Sequence, residues 1–248
     1  MKMRLDRWLA TLGACSRSDG KAWIRGGKVA VNGRIIRDSA LSFDTEKDAL
    51  TLDGKAVDGR VMRHVMMYKP GGVLTAARDP KQPTVMDLLP AVYRSTGCMP
   101  VGRLDKDTTG ILIFTTDGEM NHRLLSPGRH VDKVYRALVE GTPGQETVDA
   151  FAAGMDLGDF KAQPAGLTIL NAGAETSLAE VTVAEGKFHQ VKRMFAAAGH
   201  EVLELHRRAF GPLELDPDLR EGEWRELTEA ELSALREAAG MAENGEKA

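Results

Sequence analysis

The sequence predicts an α+β protein in two parts: a small basic unit over residues 1–60, then a larger unit over 61–239 built on a mainly antiparallel, mixed sheet. Three observations lead there. After residue 60, short apolar strands outnumber helices and do not alternate with them in the βαβ order of a parallel sheet. The stretch from Asp53-Gly54-Lys55 to Asp58-Gly59-Arg60 is polar and glycine-bearing, as domain boundaries are. Charge is segregated: Lys2 to Arg37 holds nine Lys/Arg against Asp6 and Asp19, whereas Glu214 to the last residue holds eleven Asp/Glu against Arg220, Arg225, Arg236 and Lys247. A length of 248 residues accommodates both units.

Residues 3–13 carry Leu5, Trp8, Leu9 and Leu12 at helical spacing, with Arg4 and Arg7 among the polar positions and Gly13 placed to end the helix. A second helix starts at a Ser16 or Ser18 cap, runs through Ala22, Trp23 and Ile24, and stops at Gly26-Gly27. Lys28 to Ile36 alternates around Asn32-Gly33, a hairpin signal because both residues tolerate the positive φ of a tight turn. Strands are expected at 64–68, 111–115, 135–139, 167–170 and 179–184, and helices at 145–154, 190–198 and 228–239. There is no internal repeat, and the polar tail 240–248 reads as frayed.

Composition excludes several classes. With 42% apolar and 28% charged residues the chain can form a sizeable core. No run of about 20 apolar residues is present to span a membrane, and Met1-Lys2-Met3-Arg4 lacks the apolar run of a secretory leader. Cys15 and Cys98 stand alone, which argues against a disulfide framework and fits a reducing cytoplasm. There is no GxxxxGK[ST] and no HExxH, and His122, His130, His189, His200 and His206 have spacings that suit no usual zinc set. No metal and no cofactor is expected, and those histidines read as packing or RNA-contacting residues. The net charge of −3 averages unlike regions, while phosphate responds to the local patch. Arg4, Arg7, Arg17, Lys21, Arg25 and Lys28 form a candidate RNA-binding face, although charge on helices usually means a solvated face.

The most informative segment is Val101-Gly102-Arg103-Leu104-Asp105-Lys106-Asp107-Thr108-Thr109-Gly110, set before the apolar Ile111-Leu112-Ile113-Phe114. A glycine-flanked loop of this kind can hold a carboxylate rigidly at a cleft, since the strand fixes its base. Spacing alone favours a plainer reading, a turn whose Asp and Thr bond their own backbone.

The Gly102-Arg103-Leu104-Asp105-x-x-Thr108-Thr109-Gly110 segment resembles the active-site motif of the pseudouridine synthases, in the branch that modifies ribosomal RNA with an N-terminal S4 domain. Further segments resemble that branch in order. They are Arg4-Leu5-Asp6-Arg7-Trp8-Leu9 with Ser16-Arg17-Ser18, Tyr68-Lys69-Pro70-Gly71-Gly72, Lys133-Val134-Tyr135, Gly186 to Met194, and Gly222 to Thr228. The resemblance implies an S4-like RNA-binding domain over 1–60, a pseudouridine synthase catalytic domain over 61–239, and isomerisation of uridine in ribosomal RNA. Within the branch, His189 to Met194 and Glu204-Leu205-His206-Arg207 point to small-subunit (16S) rRNA. A 23S rRNA synthase and a non-catalytic S4-type RNA-binding protein are the alternatives. The implied partner is ribosomal RNA or a ribosomal subunit assembly intermediate, with no membrane, and nothing demands more than a monomer.

By the same resemblance Asp105 is the catalytic carboxylate and Tyr135 the aromatic that stacks on the target base. Lys192 is the basic residue beside the aspartate, where its charge would keep the carboxylate ionised. Arg103 is expected to assist flipping or touch phosphate, and Thr109, Gln190 and Arg193 to contact substrate. Asp107, Thr108 and Thr109 are also placed to brace the loop. The reaction breaks the N1 glycosidic bond, turns the base and joins C5 to the ribose. Attack of Asp105 on the base and deprotonation of the sugar both stay open.

Overall fold

The computed structural model describes residues 1–12 and 15–241. Gly13, read above as the stop of the first helix, and residues 242–248 of the tail lie outside the described residues. The chain divides into two compact units, one of Met1–Arg63 with Leu89–Met99, the other of His64–Leu88 with Pro100 onward.

In the first unit β1 (Lys2–Arg4) runs straight into α1 (Leu5–Thr11), so the helix-spaced stretch begins as strand. Pairing with β4 (Ser42–Asp44) claims those residues, an example of tertiary contact overriding local periodicity. α2 (Arg17–Arg25) is capped by Ser16, whose hydroxyl accepts from the Asp19 N–H at 3.2 Å. β2 (Val29–Val31) and β3 (Arg34–Ile35) form the expected hairpin, with Asn32 and Gly33 at φ 50° and 77°. β5 (Leu50–Leu52) and β6 (Lys55–Val57) complete the order β3-β2-β5-β6, and α3 (Ala91–Ser95) belongs to this unit too. Its core gathers Leu5, Trp8, Leu9, Ile24 and Phe43. Trp8 meets Phe43 edge-on at 5.5 Å and donates its indole N–H to the Gly59 carbonyl at 3.0 Å, which satisfies its one polar atom.

The second unit contains the two-residue β8 (Met99–Pro100) only in part; its sheet runs β11 (Gly166–Asn171), β12 (Thr176–Val183), β10 (Lys133–Glu140), β13 (Val202–Phe210), β9 (Thr109–Thr115), β7 (His64–Lys69), β15 (Trp224–Glu226). β14 (Leu213–Glu214) folds back on β13. The ladders along this path are antiparallel except β13 with β9, so the sheet is mixed and mainly antiparallel, as expected. α5 (Gln145–Ala153) and α6 (Gln190–Ala197) bury Phe151 and Phe195, 4.9 Å apart, against Val139, Ala179 and Val181. α4 (Gly118–Leu125) and α7 (Glu229–Ala238) bury Met120, Leu124, Leu232 and Leu235 against Met66, Ile111 and Ile113. A fully buried side chain of this size contributes about 1.5–3 kcal/mol. Among the described residues no helix is long and apolar enough to cross a membrane.

β13 and β9 meet over two residue pairs, His206 with Thr109 and Arg207 with Gly110. Gly110 has φ 112°, and a Cβ there would lie 2.2 Å from the Arg207 carbonyl oxygen. Only glycine allows the two strands to close at this point. The Arg207 guanidinium, buried, donates twice to the Ile111 carbonyl at 2.9 and 2.8 Å and ties the strands one residue further on.

Candidate active site

Asp105 sits in a turn just upstream of β9, and the Thr108 N–H donates to the Asp105 carbonyl at 3.2 Å. Three neighbours fix this turn through its backbone. Lys69, fully buried at the end of β7, donates to the carbonyls of Thr108 at 2.8 Å, Pro70 at 2.9 Å and Lys106 at 3.2 Å. Three carbonyls match the three donors of an ammonium. Thr75 Oγ1 donates to the Leu104 carbonyl at 2.7 Å and accepts from the Leu104 N–H at 3.2 Å. The Gly72 N–H donates to the Lys106 carbonyl at 2.8 Å. Burial pushes the Lys69 ammonium down to about 8, against the upward pull of Asp107 and Asp105. The carboxylate therefore stands on a braced backbone rather than a loose loop.

Asp105 opens on a cleft that encloses about 440 Å³ with its mouth, floored by Val183, Val191 and Leu205. Arg103, Tyr135 and His189 line it as well. Tyr135 leaves β10 at an irregularity in the ladder with β13, and its partly buried ring packs on the apolar core. His189 takes the left-handed φ of 51° immediately before α6 and brings Nε2 to 3.5 Å from Asp105 Oδ1. An apolar floor, the rings of Tyr135 and His189 and one partly buried carboxylate suit a flat polar guest whose ring stacks while its edge meets the acid.

The sequence placed Lys192 beside Asp105, and here the structure differs. Lys192 Nζ donates to both oxygens of Asp107, at 2.7 and 2.6 Å. The two carboxylates, two residues apart, meet different residues of this region: Asp105 faces His189 just before α6, and Asp107 binds Lys192 within it. The Lys192 ammonium holds the Asp107 carboxyl below the usual carboxylate range.

Of the expected substrate contacts, the exposed Arg103 lines the cleft. Gln190 lines it too, but its amide is occupied: Oε1 accepts from the Lys187 N–H at 3.1 Å and Nε2 donates to Glu185 at 2.7 Å. Thr109 and Arg193 do not line it. Thr109 Oγ1 lies 2.9 Å from His206 Nδ1 on the strand beside it, while Thr108, the last residue before β9, lines the cleft. Arg193 pairs with Asp159, donates to the Leu157 carbonyl at 2.8 Å and covers the Phe160 ring at 4.9 Å. On a helix adjacent residues diverge by about 100°, so Lys192 and Arg193 serve different neighbours. Lys69 and Thr75 escaped the sequence reading as site residues, and His189 was read only as a packing or RNA-contacting residue. A lysine inside an apolar strand was the signal for Lys69; Thr75 gave none.

In the first unit all six basic residues of the expected RNA-binding face are exposed. Arg4 donates to both oxygens of the buried Asp6 at 3.1 and 3.0 Å, and Arg17 joins at 3.3 Å. Their charges are thus partly balanced, and Arg4 above all holds the Asp6 carboxyl below its usual range. Lys28 lies 3.5 Å from Asp53 and 5.8 Å over the Trp23 ring. Arg7 is on α1, and Lys21 and Arg25 are on α2.

A family model described as RNA pseudouridylate synthase matches residues 63–197, and a model of the S4 domain matches residues 3–44. Ribosomal small subunit pseudouridine synthase A of Escherichia coli (strain K12) is 37% identical over 94% of this chain and 100% of its own. The protein of the same name from Pseudomonas aeruginosa is 40% identical over 94% and 100%. An uncharacterized RNA pseudouridine synthase of Bacillus subtilis is 41% identical over 95% and 99%. Among solved structures, the crystal structure of a pseudouridylate synthase superposes with a TM-score of 0.65 at 33% identity, over 94% of this chain and 99% of that one. The chain belongs to the RNA pseudouridylate synthase family, as an isomerase whose catalytic domain follows an S4 domain.

Proposed function

We propose that this enzyme isomerises one uridine of small-subunit ribosomal RNA to pseudouridine, with Asp105 as the reacting carboxylate. The observation that carries the chemistry is Asp105 itself, braced on a fixed backbone and opening on a cleft it shares with Tyr135. The small-subunit assignment rests on relatives so named in Escherichia coli and Pseudomonas aeruginosa, similar over nearly their whole length.

The target uridine leaves its stack, because no side chain reaches its ring edge inside a helix. Tyr135 stacks on the extruded base, an interaction worth about 1–3 kcal/mol. The N1 glycosidic bond breaks, the base turns in the cleft, a bond forms from C5 to the ribose, and the C5 proton is exchanged for one on N1. Substrate and product are isomers, so nothing is oxidised or consumed. Asp105 acts on the nucleoside at close range, where positioning supplies much of the rate. Lys192 acts through Asp107 to hold the turn, Arg103 meets the RNA at the cleft mouth, and the S4 domain binds RNA through Arg4, Arg7, Arg17, Lys21, Arg25 and Lys28, with strong salt dependence. The enzyme works in the cytoplasm on ribosomal RNA or a subunit assembly intermediate.

The test is to incubate the protein with unmodified 16S and 23S rRNA, free and in particles, and to map pseudouridine by carbodiimide-dependent primer-extension stops. One new stop in 16S RNA, absent with Asp105→Ala, is the expected result. A stop in 23S RNA overturns the substrate, and no stop on any RNA overturns the activity.

A further inference from the structure

Among the large apolar side chains of the described residues, Phe188 is the most exposed, at 73%. Its position gives that exposure a use. Lys187 and His189, on either side of it, both line the cleft. The Phe188 ring stacks on the His189 ring with centroids 3.8 Å apart and planes 18° apart. His189 in turn stands 3.5 Å from the Asp105 carboxylate. Carboxylate, imidazole and phenyl therefore form a short series that leads from the cleft to its rim, and the outer face of the last ring is bare.

We propose that Phe188 is the stacking platform for a second nucleobase, the neighbour of the flipped uridine in the RNA strand. The inference rests on the functional reading above and deepens it. Stacking on an aromatic face tolerates any base, because every base has a π-face. The charges around the ring fit a nucleic acid better than an apolar protein surface. Lys187 is exposed beside it and Arg103 is exposed in the cleft wall. The adjacent acid, Glu185, is engaged internally: one oxygen accepts from the Gln163 N–H at 2.8 Å and from Gln190 Nε2 at 2.7 Å. Two exposed cations, one of them Lys187 with its ammonium 6.0 Å over the Phe160 ring, and an acid held inward suit a polyanion that carries flat rings. The near-parallel pairing with His189 also orients the Phe188 ring, so a base that lands on it continues an existing stack instead of ordering a mobile side chain.

The experiment uses the full chain and an rRNA fragment around the uridine that the wild-type protein modifies. Phe188→Ala raises KM for the fragment about tenfold while kcat changes less than about twofold, and Phe188→Trp restores KM. Each base that flanks the target is then removed in turn, leaving an abasic sugar. For one of the two flanks the loss raises KM about tenfold for the wild type and leaves Phe188→Ala unchanged, since the variant has no platform to lose. A wild-type KM for Phe188→Ala on an active system overturns this inference alone. So does an abasic penalty of equal size in variant and wild type. Sedimentation is run alongside: if Phe188→Ala changes the oligomeric state and leaves KM as it was, the ring contacts a second copy of the chain and the inference falls. If the wild-type protein makes no pseudouridine in any rRNA, the functional reading falls and takes this one with it.

Discussion

The two walls of the cleft are built in opposite ways. The wall that carries Asp105 is held from behind by buried side chains, Lys69 and Thr75, which bond its backbone at Leu104, Lys106 and Thr108. The facing wall, from Glu185 to Gln190, is held by Gln190 reaching across its own turn and by Lys133 donating to the Ala184 carbonyl at 3.0 Å, and it presents Gly186, Lys187 and Phe188 to solvent. A reacting group gains from a fixed position, because misplacement costs rate. A surface that receives an RNA strand gains from accessible charge and rings. The contrast predicts that changes in the first wall alter kcat or the fold, and changes in the second alter KM.

The largest effect is expected from Asp105→Asn, which keeps the shape and removes the charge. The rate of pseudouridine formation falls by about a thousandfold or more, while circular dichroism and RNA binding stay as in the wild type. Retained turnover would remove the first wall's claim to the chemistry. Gly110→Ala tests the backbone under that wall. Its Cβ would meet the Arg207 carbonyl oxygen at 2.2 Å in a conformation that favours glycine, so a loss above about 4 kcal/mol is expected, read as insoluble or thermally fragile protein.

Lys69→Met leaves three carbonyls without their donor, a cost of about 2–3 kcal/mol, seen as a fall of about 5–10 °C in Tm. Its pH dependence gives a signature. Folding lowers the Lys69 ammonium from 10.5 to about 8, so the burial penalty on the charged form is fully present below that pH and is lost as pH rises toward 10.5. The wild type therefore gains on the variant between pH about 8 and about 10, and the Tm gap widens. A gap that narrows would contradict the buried ammonium.

Lys192→Met and Asp107→Ala separate the observed pairing from the one the sequence suggested. Asp107 is 72% exposed, so either change lowers kcat only about two- to fivefold, and the double variant is no worse than the singles. Multiplied losses would mean that Lys192 serves Asp105 directly. The smallest effect belongs to the second wall: Gln190→Ala loosens its turn and raises KM about threefold with kcat nearly kept.

Much of the fold was legible because apolar periodicity survives in β9, β10 and β12, and because Asn32-Gly33 leaves little choice of turn. β13 was not, although it is central. Its Glu204, His206, Arg207 and Arg208 give it a polar surface reading, and Arg207 is buried only because the Ile111 carbonyl accepts its two donors. Asp105 was singled out by a resemblance rather than by spacing, and its place in the cleft is what the structure adds. The partner of Lys192 was not legible, since two carboxylates two residues apart look alike in one dimension and the fold decides which of them meets it. The sequence likewise could not show that Thr108, just before β9, lines the cleft while Thr109 meets His206.

The narrow seam between β9 and β13 also sets how a damaged copy of this enzyme behaves beside an intact one. The seam is two residue pairs wide and begins where the Asp105 turn ends. On the proposed role of Asp105, a lesion there is expected to give a folded, inert protein that still occupies its RNA, competes with the good copy and is dominant when overproduced. A lesion at Gly110 removes the protein through unfolding and degradation, and is recessive at any dose. Dominance alone, scored before any protein is purified, tells damage to the chemistry from damage to the sheet.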